Sequence, residues 1–140
     1  MRRFVWRGLG ALLGVVVANH AAAQRSPAQP AIVLEEPRAN PVLPAVLVPF
    51  TIAPEVCRQG HVPRVELRVY NVLTQPVANL RLRDRPRLVL DGNPLKCGAY
   101  VALWDGTIDG GTRAASPGLY KIVISVDGFT LAKNLIFTPP

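Results

Sequence analysis

The chain reads as an all-β protein, an antiparallel sandwich of about six or seven short strands. Three observations carry that expectation. Apolar and polar residues alternate with a period of two in several short runs, turn residues separate those runs at regular spacing, and helical character is confined to the first two dozen residues. Hydrophobic residues make up 49% of the 140 but aromatics only 6%. Val, Ile and Leu therefore carry the core, a composition that suits a pleated sheet.

From the N-terminus, Arg2, Arg3 and Arg7 precede an uncharged apolar run from Leu9 to Ala18, and Ala21-Ala22-Ala23 places small residues before Gln24. This is the pattern of a secretory signal peptide over residues 1–23. An N-terminal anchor is the rival reading, but the run falls short of the roughly 20 residues a membrane span needs. The expected mature chain is exported to the periplasm or the extracellular space and has no membrane span. Three Arg leave with the signal, so the formal charge of +7 falls to +4, with 13 cations against 9 acids. Much of the apparent basicity is then a matter of targeting rather than of nucleic-acid binding.

Residues 24–47 read as a linker. Pro27, Pro30, Pro37, Pro41 and Pro44 interrupt any helix or central strand. Ala31–Leu34 and Val46–Val48 are too apolar for a solvated tether, and one of them is expected to pack along a sheet edge. The domain proper is placed at 48–140, with its first strand near Leu47 to Ile52. Val65, Leu67 and Val69 alternate with Glu66, Arg68 and Tyr70 in the next strand. Leu80 and Leu82 alternate with Arg81 and Arg83. Asp84 to Pro94 reads as a loop with a short strand at Leu88-Val89-Leu90. A strand ends at Trp104, another runs from Leu119 to Val126, and Asp127-Gly128 is a two-residue hairpin signal before a last strand from Phe129 to Phe137.

The chain is organised around Tyr100 to Tyr120. Trp104 shares a strand face with Tyr100 and Ala102, which favours a core plug over a ligand platform. Gly106, Gly110, Gly111 and Gly118 can take positive φ, and Asp105 and Asp109 can hold turns through downstream amides. Trp104-Asp105-Gly106, the glycine-rich loop, Pro117-Gly118-Leu119-Tyr120 and the alternating hairpin, in that order, resemble the immunoglobulin-like domain of flagellar hook-capping proteins. Related sandwich domains at the C-termini of secreted bacterial proteins share the pattern. Pro63–Leu73, Pro76–Leu80 and Gly98–Gly106 extend the resemblance over residues 48–138. It implies an immunoglobulin-like sandwich with a structural or protein-interaction role. Hook capping itself is not implied, since residues 1–47 read as a signal and linker rather than as that family's assembly region.

Three constellations could carry chemistry. Cys57 and Cys97 are the only cysteines. In an exported protein they suggest one disulfide, provided the strand near Val77 to Arg83 runs antiparallel to both strands that the cysteines precede. Free thiols, or a metal site that recruits His61, are the alternatives, the latter one ligand short of a tetrahedral set. Asp105, Thr107, Asp109 and Gly110 match the first half of a calcium loop, but Ser116 stands where a bidentate Glu is needed. Arg81, Arg83, Arg85 and Arg87, with Arg113 nearby, form a basic stripe. It reads either as a solvated edge or as a contact for polyanions such as acidic glycans. Aromatics are not interleaved with these arginines, which argues against nucleic acid.

Catalysis has little support: His61 is the sole histidine beyond the signal, and no nucleophile motif accompanies it. The expectation is a non-enzymatic module without metal or cofactor, whose partner is an unidentified envelope or extracellular protein. The rival is a carbohydrate- or polyanion-binding module using the arginine stripe.

Overall fold

Val46, Val48, Phe50 and Ile52 point to one side of a seven-residue strand, and that alternation sets the first sheet. The computed structural model describes residues 30–40 and 43–139. The expected signal peptide and its cleavage point before Gln24 lie outside the described residues. The strands are β1 (Ile32–Leu34), β2 (Arg38–Ala39), β3 (Val46–Ile52), β4 (Arg64–Tyr70), β5 (Pro76–Asn79) and β6 (Arg81–Leu82). They continue with β7 (Asp91–Pro94), β8 (Gly98–Trp104), β9 (Thr107–Ile108), β10 (Arg113–Ala114), β11 (Gly118–Val126) and β12 (Phe129–Phe137). Short 3-10 segments occupy Pro54–Gly60 and Asp109–Gly111.

Two antiparallel sheets pack as a sandwich. One has the order β1-β3-β8-β6 and the other β12-β11-β4-β5. If β1, β3, β8 and β6 are named A, B, E and D, and β4, β11 and β12 are named C, F and G, this is the immunoglobulin constant-type order with β5 added at an edge. The sheets bury Val48, Ile52, Val65, Leu67, Val69, Ile122 and Ile124 between them. The chain changes sheets at Leu80: β5 pairs with β4, β6 pairs with β8, and the buried Leu80 is held by its N–H to the Leu67 carbonyl at 2.9 Å.

The segment 24–47, read as a linker, contributes both β1 and β2 to the outer edge of β3. Ile32 and Leu34 are buried in the core, so the expectation that one apolar run lines a sheet edge describes Ala31–Leu34. The edge breaks at Glu36-Pro37 for a backbone reason. Glu35 N–H donates to the Pro49 carbonyl at 3.0 Å, but Pro49 has no N–H to complete the pair. A proline inside β3 is tolerated because its missing donor faces this interruption.

In the loop read at Asp84 to Pro94, the short strand expected at Leu88-Val89-Leu90 is only an isolated bridge of Val89 to Arg81, and the strand lies further on, at Asp91–Pro94. β7 pairs with the first half of β4, while β5 covers the second half. Asp91-Gly92-Asn93-Pro94 has no apolar alternation, and its extended state comes from backbone pairing alone. Between them, β5 and β7 cover one edge of β4.

β12 is the outer strand of its sheet. Its inward positions are Phe129, Leu131, Lys133, Leu135 and Phe137, opposite Val126, Ile124, Ile122, Tyr120 and Gly118. Lys133 is the exception to an apolar face. Its ammonium leans out of the sandwich to Glu36 at 2.8 Å, beside the β1/β2 break. An inward-pointing charge on an outer strand discourages pairing with another chain.

Candidate functional site

Trp104 closes one pole of the sandwich. It is only 1% exposed. Its ring lies 4.8 Å from Phe137 and 5.3 Å, edge-on, from Tyr120, and these aromatic contacts link the ends of β8, β11 and β12. The indole Nε1–H donates to the Thr107 carbonyl at 2.8 Å, so burial leaves no polar atom unpaired. Tyr120 donates its hydroxyl to the Ser116 carbonyl four residues upstream at 2.8 Å. The immunoglobulin fold's tyrosine corner is made the same way.

The loop between β8 and β11 is held by its own polar groups. Asp105 Oδ1 accepts from the Thr107 N–H at 3.0 Å and from the Thr107 hydroxyl at 2.5 Å. Asp109 pairs with Arg113 at 2.8 Å. Both carboxylates of the calcium-like pattern thus have partners within the loop. Gly106, Gly110, Gly111 and Gly118 all have positive φ. β9 and β10 form a small ribbon here, in a stretch whose sequence reads only as turn. Arg113 belongs to this ribbon and is not part of the arginine stripe.

At the opposite pole, Cys57 and Cys97 form a disulfide, with Cα atoms 6.1 Å apart. β5 runs antiparallel to β4 and β6 antiparallel to β8, which brings the starts of β4 and β8 to the same end. His61 and Asp127, neither paired with the other by sequence reasoning, meet at the same pole, at the start of β4. His61 Nε2 lies 2.6 Å from Asp127 Oδ2, and Asp127 Oδ1 accepts from the Arg64 N–H at 3.0 Å. The hydrogen bond from His61, and next the backbone N–H of Arg64, hold the Asp127 carboxyl below its ordinary range. Asp127 is legible in the sequence only as a hairpin residue. Nothing local announces a partner 66 positions away.

The arginine stripe does not form one strand face. Arg81 lies on β6. Arg85 and Arg87 lie in a turn closed by the Leu88 N–H on the Arg85 carbonyl at 2.8 Å. The surface distributes the four differently from the alternation in sequence. Arg81 borders an open hollow with Arg68, Asn79 and Asp105. Arg83 borders a second with Glu35, Asp84 and Tyr100. Arg85 borders a third with Val62, Lys96 and, again, Tyr100.

An apolar surface occupies the Trp104 pole. Ile136 is 78% and Val72 70% exposed. Leu119 lies opposite Ile136 on β11 and borders both a hollow shared with Leu43 and Ile136 and one shared with Val72. The hollow beside Leu43 and Ile136 has a volume of about 510 Å3. Sequence reading missed this surface, because each of its residues looks locally like an ordinary strand or turn residue.

Comparison with protein-family models, curated proteins and solved structures gives no match. The resemblance to hook-capping domains therefore rests on the quoted motifs.

Proposed function

We propose that this chain is an exported, non-enzymatic immunoglobulin-like module that works by binding another protein of the bacterial envelope or exterior. The observation that carries the reading is the apolar surface at the Trp104 pole. Leu43, Leu119, Ile136 and Val72 line adjoining hollows along β11 and β12. Exposed apolar patches of this kind mark interaction surfaces. The Cys57–Cys97 disulfide supports an oxidising compartment, in keeping with the signal-like N-terminus.

A photo-crosslinking residue placed at Ile136, in the native host, tests the reading. Thr130 on the same outer face of β12, at the far end of the strand, is the control. A discrete adduct with another protein from position 136 and none from 130 is expected. Identical patterns at the two positions, or adducts only with the chain itself, overturn the reading.

A further inference from the structure

We propose that the edge formed by Arg83, Arg85 and Lys96 around Tyr100 is a binding surface for an anionic polysaccharide, engaged through its sulfate or carboxylate groups. The proposal is independent of the apolar surface at the other pole.

Charge distribution is the first argument. Residues 81–96 hold Arg81, Arg83, Arg85, Arg87 and Lys96 against only Asp84 and Asp91. In the rest of residues 30–139, seven cations face seven acids. The positive surplus of the described chain therefore falls in this one segment. Elsewhere the cations are largely neutralised: Arg38 pairs with Glu35, Arg68 with Glu66, Arg113 with Asp109 and Lys133 with Glu36. Among the described residues, none of the five cations of 81–96 takes part in an ion pair.

Geometry is the second. The fold gathers Arg83, Arg85 and Lys96 around a single aromatic ring. Tyr100 is shared by two neighbouring hollows: one of about 360 Å3, lined by Arg83 together with the acids Glu35 and Asp84, and one of about 420 Å3, lined by Arg85 and Lys96 without an acidic neighbour among its lining residues. The ring is fixed from two sides. It stacks on Phe50 at 5.4 Å, and its hydroxyl donates to the Lys96 carbonyl at 2.6 Å. The adjacent Cys97 is anchored by the disulfide. The base of the surface is thus rigid, while the guanidiniums and the ammonium above it are exposed and uncommitted.

A role in protecting a sheet edge accounts for Arg81, which lies on β6, but Arg85 and Lys96 lie outside every strand. Guanidiniums bind planar oxyanions through paired, charge-assisted hydrogen bonds. A sugar polymer with sulfates or carboxylates spaced along it can span both hollows. Single-stranded nucleic acid is disfavoured, because it binds by stacking bases on open aromatic faces. Here the lone aromatic of the surface stacks on Phe50.

Heparin serves as the probe for the sulfated class, and a single-stranded oligodeoxynucleotide of matched charge for the other polyanion class. Binding is measured on the whole protein across a salt series. The double variant Arg83→Ser/Arg85→Ser is compared with Arg68→Ser/Arg113→Ser, which removes the same charge from paired positions away from this surface. We expect the first pair to weaken heparin binding at least about tenfold and to flatten its salt dependence, with the control pair changing it less than about twofold. Arg85→Ser/Lys96→Ser gives the same reading if the first variant does not accumulate. Equal losses in both pairs would mean that only net charge matters. That result, absence of heparin binding at low salt, or equal or tighter binding of the oligonucleotide each overturns the proposal.

Discussion

Gly106 lies against the ring of Phe137, so that a Cβ at position 106 would stand 2.9 Å from Phe137 Cζ and 2.8 Å from the Pro44 carbonyl oxygen. Its φ of 76° is also costly for any residue with a side chain. Gly106 is fixed there because its carbonyl accepts from the Ala115 N–H at 2.8 Å, which ties the two ends of the loop together. Gly106→Ala should destabilise the protein by about 2–4 kcal/mol, from strain and overpacking together. Gly110→Ala meets no neighbouring atom and should cost about 1–2 kcal/mol, from φ alone. Urea melts of the two variants measure the difference, and equal losses would contradict the close approach.

Trp104 and Asp105 are neighbours with different exposure. Trp104→Ala should cost about 3–5 kcal/mol, a large part of the roughly 5–15 kcal/mol available to a domain of this size. Asp105 is exposed and, among the described residues, bonds only to Thr107, so Asp105→Ala should cost about 0.5–1.5 kcal/mol. Thermal melts test the order. If both variants melt with the wild type, the loop is a surface site and the aromatic pole does not support the fold.

The disulfide joins residues 40 apart in sequence. Reduction, or the pair Cys57→Ala/Cys97→Ala, should remove about 3–4 kcal/mol by restoring freedom to the unfolded chain. Thiol labelling of the denatured, unreduced protein should find no reactive sulfur. Labelling at both positions would overturn the bridge.

Asp127 makes part of the stability acid-sensitive. Its folded carboxyl titrates below the ordinary value because His61 and the Arg64 N–H bind the charged form. A depressed folded pKa contributes stability that is complete above the unfolded value, about 3.9, and is lost as pH falls through the folded value. Asn at 127 keeps an acceptor for Arg64 and tolerates the φ of 49°. The stability gap between wild type and Asp127→Asn, present at about pH 5, should therefore close as pH falls below about 4. In the His61→Ala variant, an NMR titration of Asp127 should show its midpoint rising. An unchanged midpoint would mean that the contact is absent in solution.

The mature protein is expected to begin near Gln24, after the run Ala21–Ala23. N-terminal sequencing of the exported protein checks this, and an N-terminus still at Met1 would favour an anchor.

Most of the sandwich was legible wherever burial writes a period of two into the chain. β3, β4, β8, β11 and β12 each bury alternate residues, so their existence and inward faces could be read locally. The hairpin at Asp127-Gly128 was legible for a different local reason. Both residues take positive φ, 49° and 84°, and that residue pair suits such a turn. Cys57 and Cys97 could be placed at one pole by counting strand reversals.

Tertiary structure alone decided the rest. β7 is extended because β4 offers it a free backbone edge, and backbone pairing leaves no trace in side-chain pattern. β1 and β2 looked like linker because their prolines were judged without knowing that Pro37 and Pro49 fall at the same interruption. The His61–Asp127 contact, the ring of basic groups around Tyr100 and the apolar surface from Leu43 to Val72 all join residues distant in sequence. Local periodicity specifies which face of a strand is buried. The order in which strands lie side by side, set by the packing of both sheets at once, specifies which surface groups meet.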